Sequence, residues 1–149
     1  MKKYLPVLLV LCLTCFSAGC AGKDAPAPVQ NSGAPDEDLT VLNSIMAYAR
    51  LAEILENPDD YFGKIIKLRG TYNVSYFEQT DLYYNLVSVG DETSCCQQWL
   101  EFVWNGEHSY PDDYPEENTS IEIAGVFGSY EELDQLYYYL AVDDIIILR

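Results

Sequence analysis

From Lys64 onward, apolar and polar residues alternate with period two over most of the chain, the pattern of strands with one covered face. Lys64 to Val74 is the first such run, with Ile66, Leu68, Gly70, Tyr72 and Val74 on one face and Lys67, Arg69, Thr71 and Asn73 on the other. Leu82 to Val89 is the second, and Gln98 to Trp104 the third, setting Leu100, Phe102 and Trp104 opposite Glu101. Ser120 to Phe127 is the fourth, with Ile121, Ile123, Gly125 and Phe127 inward and Glu122 outward. Leu136 to Val142 is the fifth, and Ile145 to Leu148 closes the chain. Ahead of these runs the period changes. Val41, Leu42, Ile45, Met46, Ala49, Ala52 and Leu55 recur at helical spacing, with Asn43, Ser44, Arg50 and Glu53 between them. Asp38 or Thr40 is placed to cap this helix, and Pro58 ends it near Asn57. Its direct lead into the first strand makes it a helix packed on its own domain rather than one that binds a partner.

Gly70 and Gly125 fall in mid-strand, where glycine marks a bulge or the tight bend of a small barrel. Five antiparallel strands, the first and fourth kinked by glycine, predict a small Greek-key barrel with the preceding helix as its plug. The stretch Asn57-Pro58-Asp59-Asp60-Tyr61-Phe62-Gly63-Lys64, followed by Ile65 to Gly70, resembles the opening of OB-type domains in secreted bacterial proteins. That resemblance spans roughly Leu42 to Leu148 and implies a mainly all-β chain: a five-stranded Greek-key OB-like barrel preceded by one amphipathic α-helix. The helix often found between the third and fourth OB strands is replaced by the acidic loop Glu107 to Asn118.

The N-terminus carries a different signal. Lys2-Lys3 precede an apolar run from Leu5 to Phe16, matching the charged and hydrophobic regions of a secretory signal. The run is too short to span a bilayer, which takes roughly 20 apolar residues. Ser17-Ala18-Gly19-Cys20 resembles the lipobox of bacterial lipoproteins, with Ser17 where leucine is usual. That resemblance implies a cleaved signal helix over residues 1–19, lipid such as palmitate on Cys20, and attachment to the outer side of the cell membrane. The rival reading is a plain secretory signal. Residues 20–38 are rich in Ala, Pro, Gly, Ser and acid, and read as a flexible tether. Residues 39–149 then form the OB-like domain.

Charge narrows the partners. The formal net charge of −16 becomes −18 when Lys2 and Lys3 leave with the signal. Such a chain repels phosphate backbones, so nucleic acid is not an expected partner. The expected partners are the membrane, through lipid on Cys20, and a protein or another cell-envelope component.

The sharpest candidate chemistry is the vicinal pair Cys95-Cys96. Neighbouring Cα atoms lie about 3.8 Å apart, short of the ~4.4 Å that disulfides prefer, so a ring between them would be strained and easily reduced. As thiolates the pair would suit a soft metal, and His108, the one histidine, is the other soft ligand of the domain. The bland alternative places one thiol inward and one outward, with neither reacting. Cys95-Cys96-Gln97-Gln98-Trp99-Leu100-Glu101-Phe102 is similar to a segment of uncharacterised lipoproteins of Firmicutes-type bacteria. It is more faintly similar to small subunits of certain predicted permeases. These resemblances imply an envelope accessory or binding role and bring no catalytic residues with them.

The loop Tyr110 to Glu117 holds four carboxylates but lacks the ligand order of a calcium site, and reads as a solvated turn. Tyrosine is abundant, at 13 residues, and in strands some of the rings must face outward. On the face of OB strands two and three such rings would serve ligands or protein partners. No Ser-His-Asp set and no phosphate-binding glycine loop occurs in the sequence. The expectation is a membrane-anchored extracytoplasmic binding module with no cofactor and no enzymatic activity. The alternative is a thiol-redox or soft-metal accessory protein of an envelope transporter.

Overall fold

A computed structural model describes residues 33–90 and 96–149. Glu37–Asp38 forms a short strand β1, and Ser44–Glu56 forms the helix α1. Five longer strands follow: β2 (Ile65–Phe77), β3 (Leu82–Gly90), β4 (Gln97–Trp104), β5 (Ser120–Glu132) and β6 (Gln135–Ile147). They make one six-stranded sheet in the order β1-β2-β3-β4-β6-β5, and β2 pairs again with β5, rolling the sheet into a barrel-like ring. The β4–β6 pairing is parallel, whereas β2–β3, β3–β4, β5–β6 and β2–β5 are antiparallel.

Closure depends on β2 changing partners. Its first half, Ile65 to Thr71, pairs with β5, and its second half, Thr71 to Phe77, pairs with β3. Gly70 sits at the changeover. A Cβ there would lie 2.4 Å from the Ser88 carbonyl oxygen, so only glycine lets β3 come this close. Gly125 does the same at the β5–β6 bulge, where a Cβ would lie 2.6 Å from the Ala141 carbonyl oxygen.

The inward faces follow the alternation. Ile66, Leu68, Tyr72, Leu100, Phe102, Ile121, Ile123 and Phe127 are all buried in one core. Five readings change. The fifth strand and the closing segment are one strand, β6, because the exposed Asp143 and Asp144 form a bulge between the Gly125–Val142 and Ile123–Ile145 pairs, after which the pairing with β5 resumes. Glu122 points outward but is only 7% exposed, because Lys67 and Arg69 fold over it at 2.8 and 2.6 Å. Residues 36–38, expected in the tether, belong to the folded unit. The Asp36 amide donates to the Ile65 carbonyl and its carboxylate accepts from the Ile65 amide, and Glu37–Asp38 runs parallel to β2.

The helix differs most. α1 buries Ala47, Leu51 and Ile54, while Val41, Ile45 and Met46 are exposed and Leu42 and Leu55 lie half-covered against the core. The helix is apolar on more than one side, so period alone picks no single face. Its N-cap is Asn43, whose side-chain oxygen accepts from the Met46 amide at 2.9 Å. Asp38 caps the 3-10 turn Leu39–Val41 instead, accepting from the Thr40 amide. Burying Leu51 and Ile54 completely contributes about 1.5–3 kcal/mol each.

The loop expected to be a solvated turn also seals the barrel. Its carboxylates are exposed, but Tyr114 is half-buried, stacks on Tyr72 and meets Trp104 edge-on. The Asn118 amide bonds the Tyr72 carbonyl, and the Tyr72 amide bonds the Thr119 carbonyl. Among the described residues no helix is long and apolar enough to cross a membrane.

Candidate functional site

Two hairpins extend past the closed part of the barrel, and a cleft lies between them. The β2–β3 hairpin turns at Asp81, which takes a positive φ of 55°. The β5–β6 hairpin turns through Leu133 and Asp134, with φ of 50° and 62°. Because side chains alternate, the outward set of each strand faces this cleft. Ser75 and Phe77 come from β2, Tyr84 and Leu86 from β3, and Glu101 from β4; Tyr130 and Glu132 come from β5, and Tyr137 from β6. The cavity measures about 220 Å³ and is walled mainly by carbon.

Its polar groups are two tyrosine–carboxylate pairs. The Tyr84 hydroxyl donates to Glu132 at 2.5 Å, and the Tyr130 hydroxyl donates to Glu101 at 2.6 Å. Tyr84 also contacts the Thr80 hydroxyl at 2.8 Å. Tyr130 and Tyr137, opposite each other in the ladder, stack with ring centroids 5.6 Å apart. Burial, then the hydrogen bond to Glu132, pushes the Tyr84 phenol up to about 12. Burial, then the bond to Glu101, raises Tyr130 as well. Both phenols therefore stay protonated at neutral pH. The cleft presents carboxylate oxygens and aromatic carbon, and among the described residues no Lys, Arg or His lines it.

The residues singled out from the sequence lie elsewhere. Cys96 is exposed at the foot of β4, while Cys95 and Cys20 fall outside the described residues. His108 lies beyond the other end of β4, stacked on Trp104 at 3.8 Å, with Nε2 3.2 Å from the Asn105 carbonyl oxygen. β4 has 8 residues, roughly 25 Å of extended chain, so a metal site joining Cys96 to His108 in one molecule does not form. Among the described residues no group of three His, Cys, Asp or Glu is placed to hold a metal. The tyrosine-rich runs behave in two ways. Tyr72 and Tyr139 are buried, whereas Tyr76 and Tyr83 are exposed and lie ring to ring at 5.0 Å.

Glu101, Tyr130 and Glu132 were not legible as site residues. Their one sequence signal is the run Tyr130-Glu131-Glu132 facing Tyr137 across a two-residue turn. Leu133-Asp134 does not carry the Asn-Gly signature that would have announced that turn. No family profile, curated protein or solved structure matches this chain.

Proposed function

We propose that the protein is a lipid-anchored binding module of the cell envelope. It is held by lipid on Cys20 on the outer side of the membrane and presents an OB-type barrel that engages a ligand or partner in the tyrosine–glutamate cleft. The observation that carries this reading is the place of the cleft. With β2 to β6 taken as the five barrel strands, Tyr84, Leu86 and Glu101 bring the outer face of the second and third to the cleft, and its other lining residues come from strands one, four and five near the hairpins joining one to two and four to five. OB barrels bind on that face and with those loops. The parallel pairing of β4 with β6 and the closure of β2 on β5 support the same assignment. The departure is the helix, which precedes the barrel instead of interrupting it. The signal-like N-terminus, with Cys20 after Ala18-Gly19, supports the anchor.

Two measurements test this. Radiolabelled palmitate should enter the protein and be lost on Cys20→Ala; an unlipidated secreted chain would remove the anchor. A photo-crosslinking residue at Tyr137 should label a ligand or partner in intact membranes that the same residue at the exposed Glu56 does not. Equal labelling from both positions would remove the cleft. The exposure of Cys96 favours a second reading, a thiol-redox accessory role with Cys95. Thiol titration before and after mild reduction decides it, and two unbridged, unreactive thiols would end it.

A further inference from the structure

Charge is segregated along this chain. From Gly70 to Leu148 the sequence holds sixteen carboxylate side chains and not one Lys or Arg. Among the described residues the basic side chains are Arg50 on α1, Lys64, Lys67 and Arg69 in or beside the half of β2 that pairs with β5, and Arg149 after β6. The far ends of the two hairpins carry negative charge only. Glu78 and Asp81 lie exposed on one, Glu131 and Asp134 on the other. Among the described residues no Lys or Arg pairs with Glu78, Glu131 or Asp134, since Lys67 and Arg69 bind Glu122 and Arg50 binds Glu37 and Glu53. The same ends are apolar. Tyr76, Phe77, Tyr83, Leu133 and Leu136 are each 40 to 53% exposed. Such side chains scattered singly are ordinary, but gathered on the two turns that flank a cleft they mark an interaction surface. The cleft between them is walled by the rings of Tyr84, Tyr130 and Tyr137 together with Phe77 and Leu86. About 220 Å³ lies below the usual range for drug-sized ligands, roughly 300–1,000 Å³, and takes a single apolar side chain. Nucleic acid and anionic lipid are repelled by this end of the barrel. A second copy would set carboxylates against carboxylates, because a two-fold contact brings the same patch from both partners. A basic polypeptide meets both features, with an apolar side chain for the cleft and Lys or Arg for the carboxylates of the turns.

We infer that the hairpin end of the barrel docks a basic segment of a partner protein. One apolar side chain of that segment sits in the cleft against Phe77 and Leu86, and its Lys or Arg side chains lie beside Glu78, Glu131 and Asp134. Glu101 and Glu132 are no part of the charge match, since tyrosines of the cleft already bond them. This rests on the binding-module reading of the cleft and gives its partner a chemical class.

The test is an NMR titration of the full-length protein carrying isotope-labelled tyrosine and leucine. The probes are three end-capped pentapeptides: Lys-Lys-Phe-Lys-Lys, Lys-Lys-Ser-Lys-Lys, which lacks the anchor, and Glu-Glu-Phe-Glu-Glu, which reverses the charge. The first should shift Tyr84, Tyr137, Leu133 and Leu136 and leave Leu42 and Leu55, at α1, in place. It should bind at least about tenfold more tightly than either of the others, through one buried aromatic side chain in the first comparison and through charge in the second. Its advantage over the acidic peptide should shrink as salt rises. Glu78→Gln combined with Glu131→Gln and Asp134→Asn should weaken its binding at least about fivefold at low salt, while the thermal midpoint stays within a few degrees of the parent's. Asparagine tolerates the left-handed backbone of Asp134, with φ of 62°. If the acidic peptide binds as well as the basic one, or the triple variant binds like the parent, the basic-partner assignment is overturned while the cleft remains a binding site. If the serine peptide binds as tightly as its phenylalanine counterpart, the seated anchor is overturned, because charge alone then holds the peptide. If the shifts fall on α1, or no peptide shifts the cleft residues, the assignment falls, and the Tyr137 crosslink decides the cleft reading by itself.

Discussion

Replacing Gly70 by alanine tests whether the ring of strands closes because one residue lacks a side chain. The new Cβ would stand 2.4 Å from the Ser88 carbonyl oxygen and 2.6 Å from Val87 Cγ2, where ordinary contact begins at 3.4 Å. The oxygen belongs to backbone within a paired strand and cannot rotate away, so β2 and β3 must part locally by about 1 Å. Overpacking of this kind costs about 1–3 kcal/mol. Weakening a ladder hydrogen bond next to the Thr71–Ser88 pair adds about 1–2 kcal/mol. The smaller conformational freedom of alanine in the unfolded chain returns about 0.4–1 kcal/mol. The net expectation is a loss of about 2–4 kcal/mol, a large share of the ~5–15 kcal/mol that holds a domain folded. For a domain near 100 residues that lowers the thermal midpoint by roughly 10–25 °C. Urea unfolding followed by tryptophan fluorescence, together with a thermal melt, reads it directly. Gly63→Ala is the internal control. Gly63 has φ of +79° with nothing within 4 Å of a built Cβ, so alanine there should cost only the left-handed strain, about 1 kcal/mol. If Gly70→Ala costs no more than Gly63→Ala, steric closure at Gly70 is the wrong explanation for the bend in β2.

Three further outcomes follow from particular contacts. The Lys67 hydrogen bond, helped by Arg69, holds the Glu122 carboxyl below the ordinary carboxylate range despite its burial. Its contribution is therefore complete above the unfolded value near 4.3 and is lost as pH falls through the lower folded value. Glu122→Gln should cost about 1–2 kcal/mol at neutral pH, with a gap that shrinks in acid; a gap independent of pH would contradict the ion-pair account. Asn43→Ala removes the N-cap of α1 and should cost about 1 kcal/mol by urea unfolding, whereas Thr40→Ala, outside that helix, should leave its capping bond intact. Tyr114→Ala uncovers Tyr72 and Trp104 and should cost about 2 kcal/mol with a change in near-ultraviolet dichroism; an unchanged melt would mean the loop does not seal the barrel.

The sequence exposed the strands far better than the helix or the site. Ile66, Leu68 and Tyr72 alternate with Lys67, Arg69 and Thr71, and period two leaves a strand only two faces to choose between. The apolar one goes inside. α1 offered no such choice, because Ile45, Met46, Leu51, Ile54 and Leu55 surround much of its circumference, and the side that is buried depends on where the barrel stands. The site was partly legible. Tyr84 and Tyr137 were visible as tyrosines too numerous to be all core, whereas Glu101 looked like any outward polar residue of a strand.

What the sequence determined by itself, then, is local: the presence of the strands and the inward faces of the first, third and fourth, the two glycines where strands must bend, and the break at Pro58. These depend on neighbours within a few residues, through pleat geometry and sterics. Tertiary structure alone decided which side of α1 is covered, that Glu122 is buried beneath Lys67 and Arg69, and that β4 holds Cys96 and His108 at opposite ends. It also decided that Tyr84 meets Glu132, 48 positions away, and that Tyr130 meets Glu101. Those pairings are set by which strands lie side by side when the sheet closes, and no spacing along the chain encodes that.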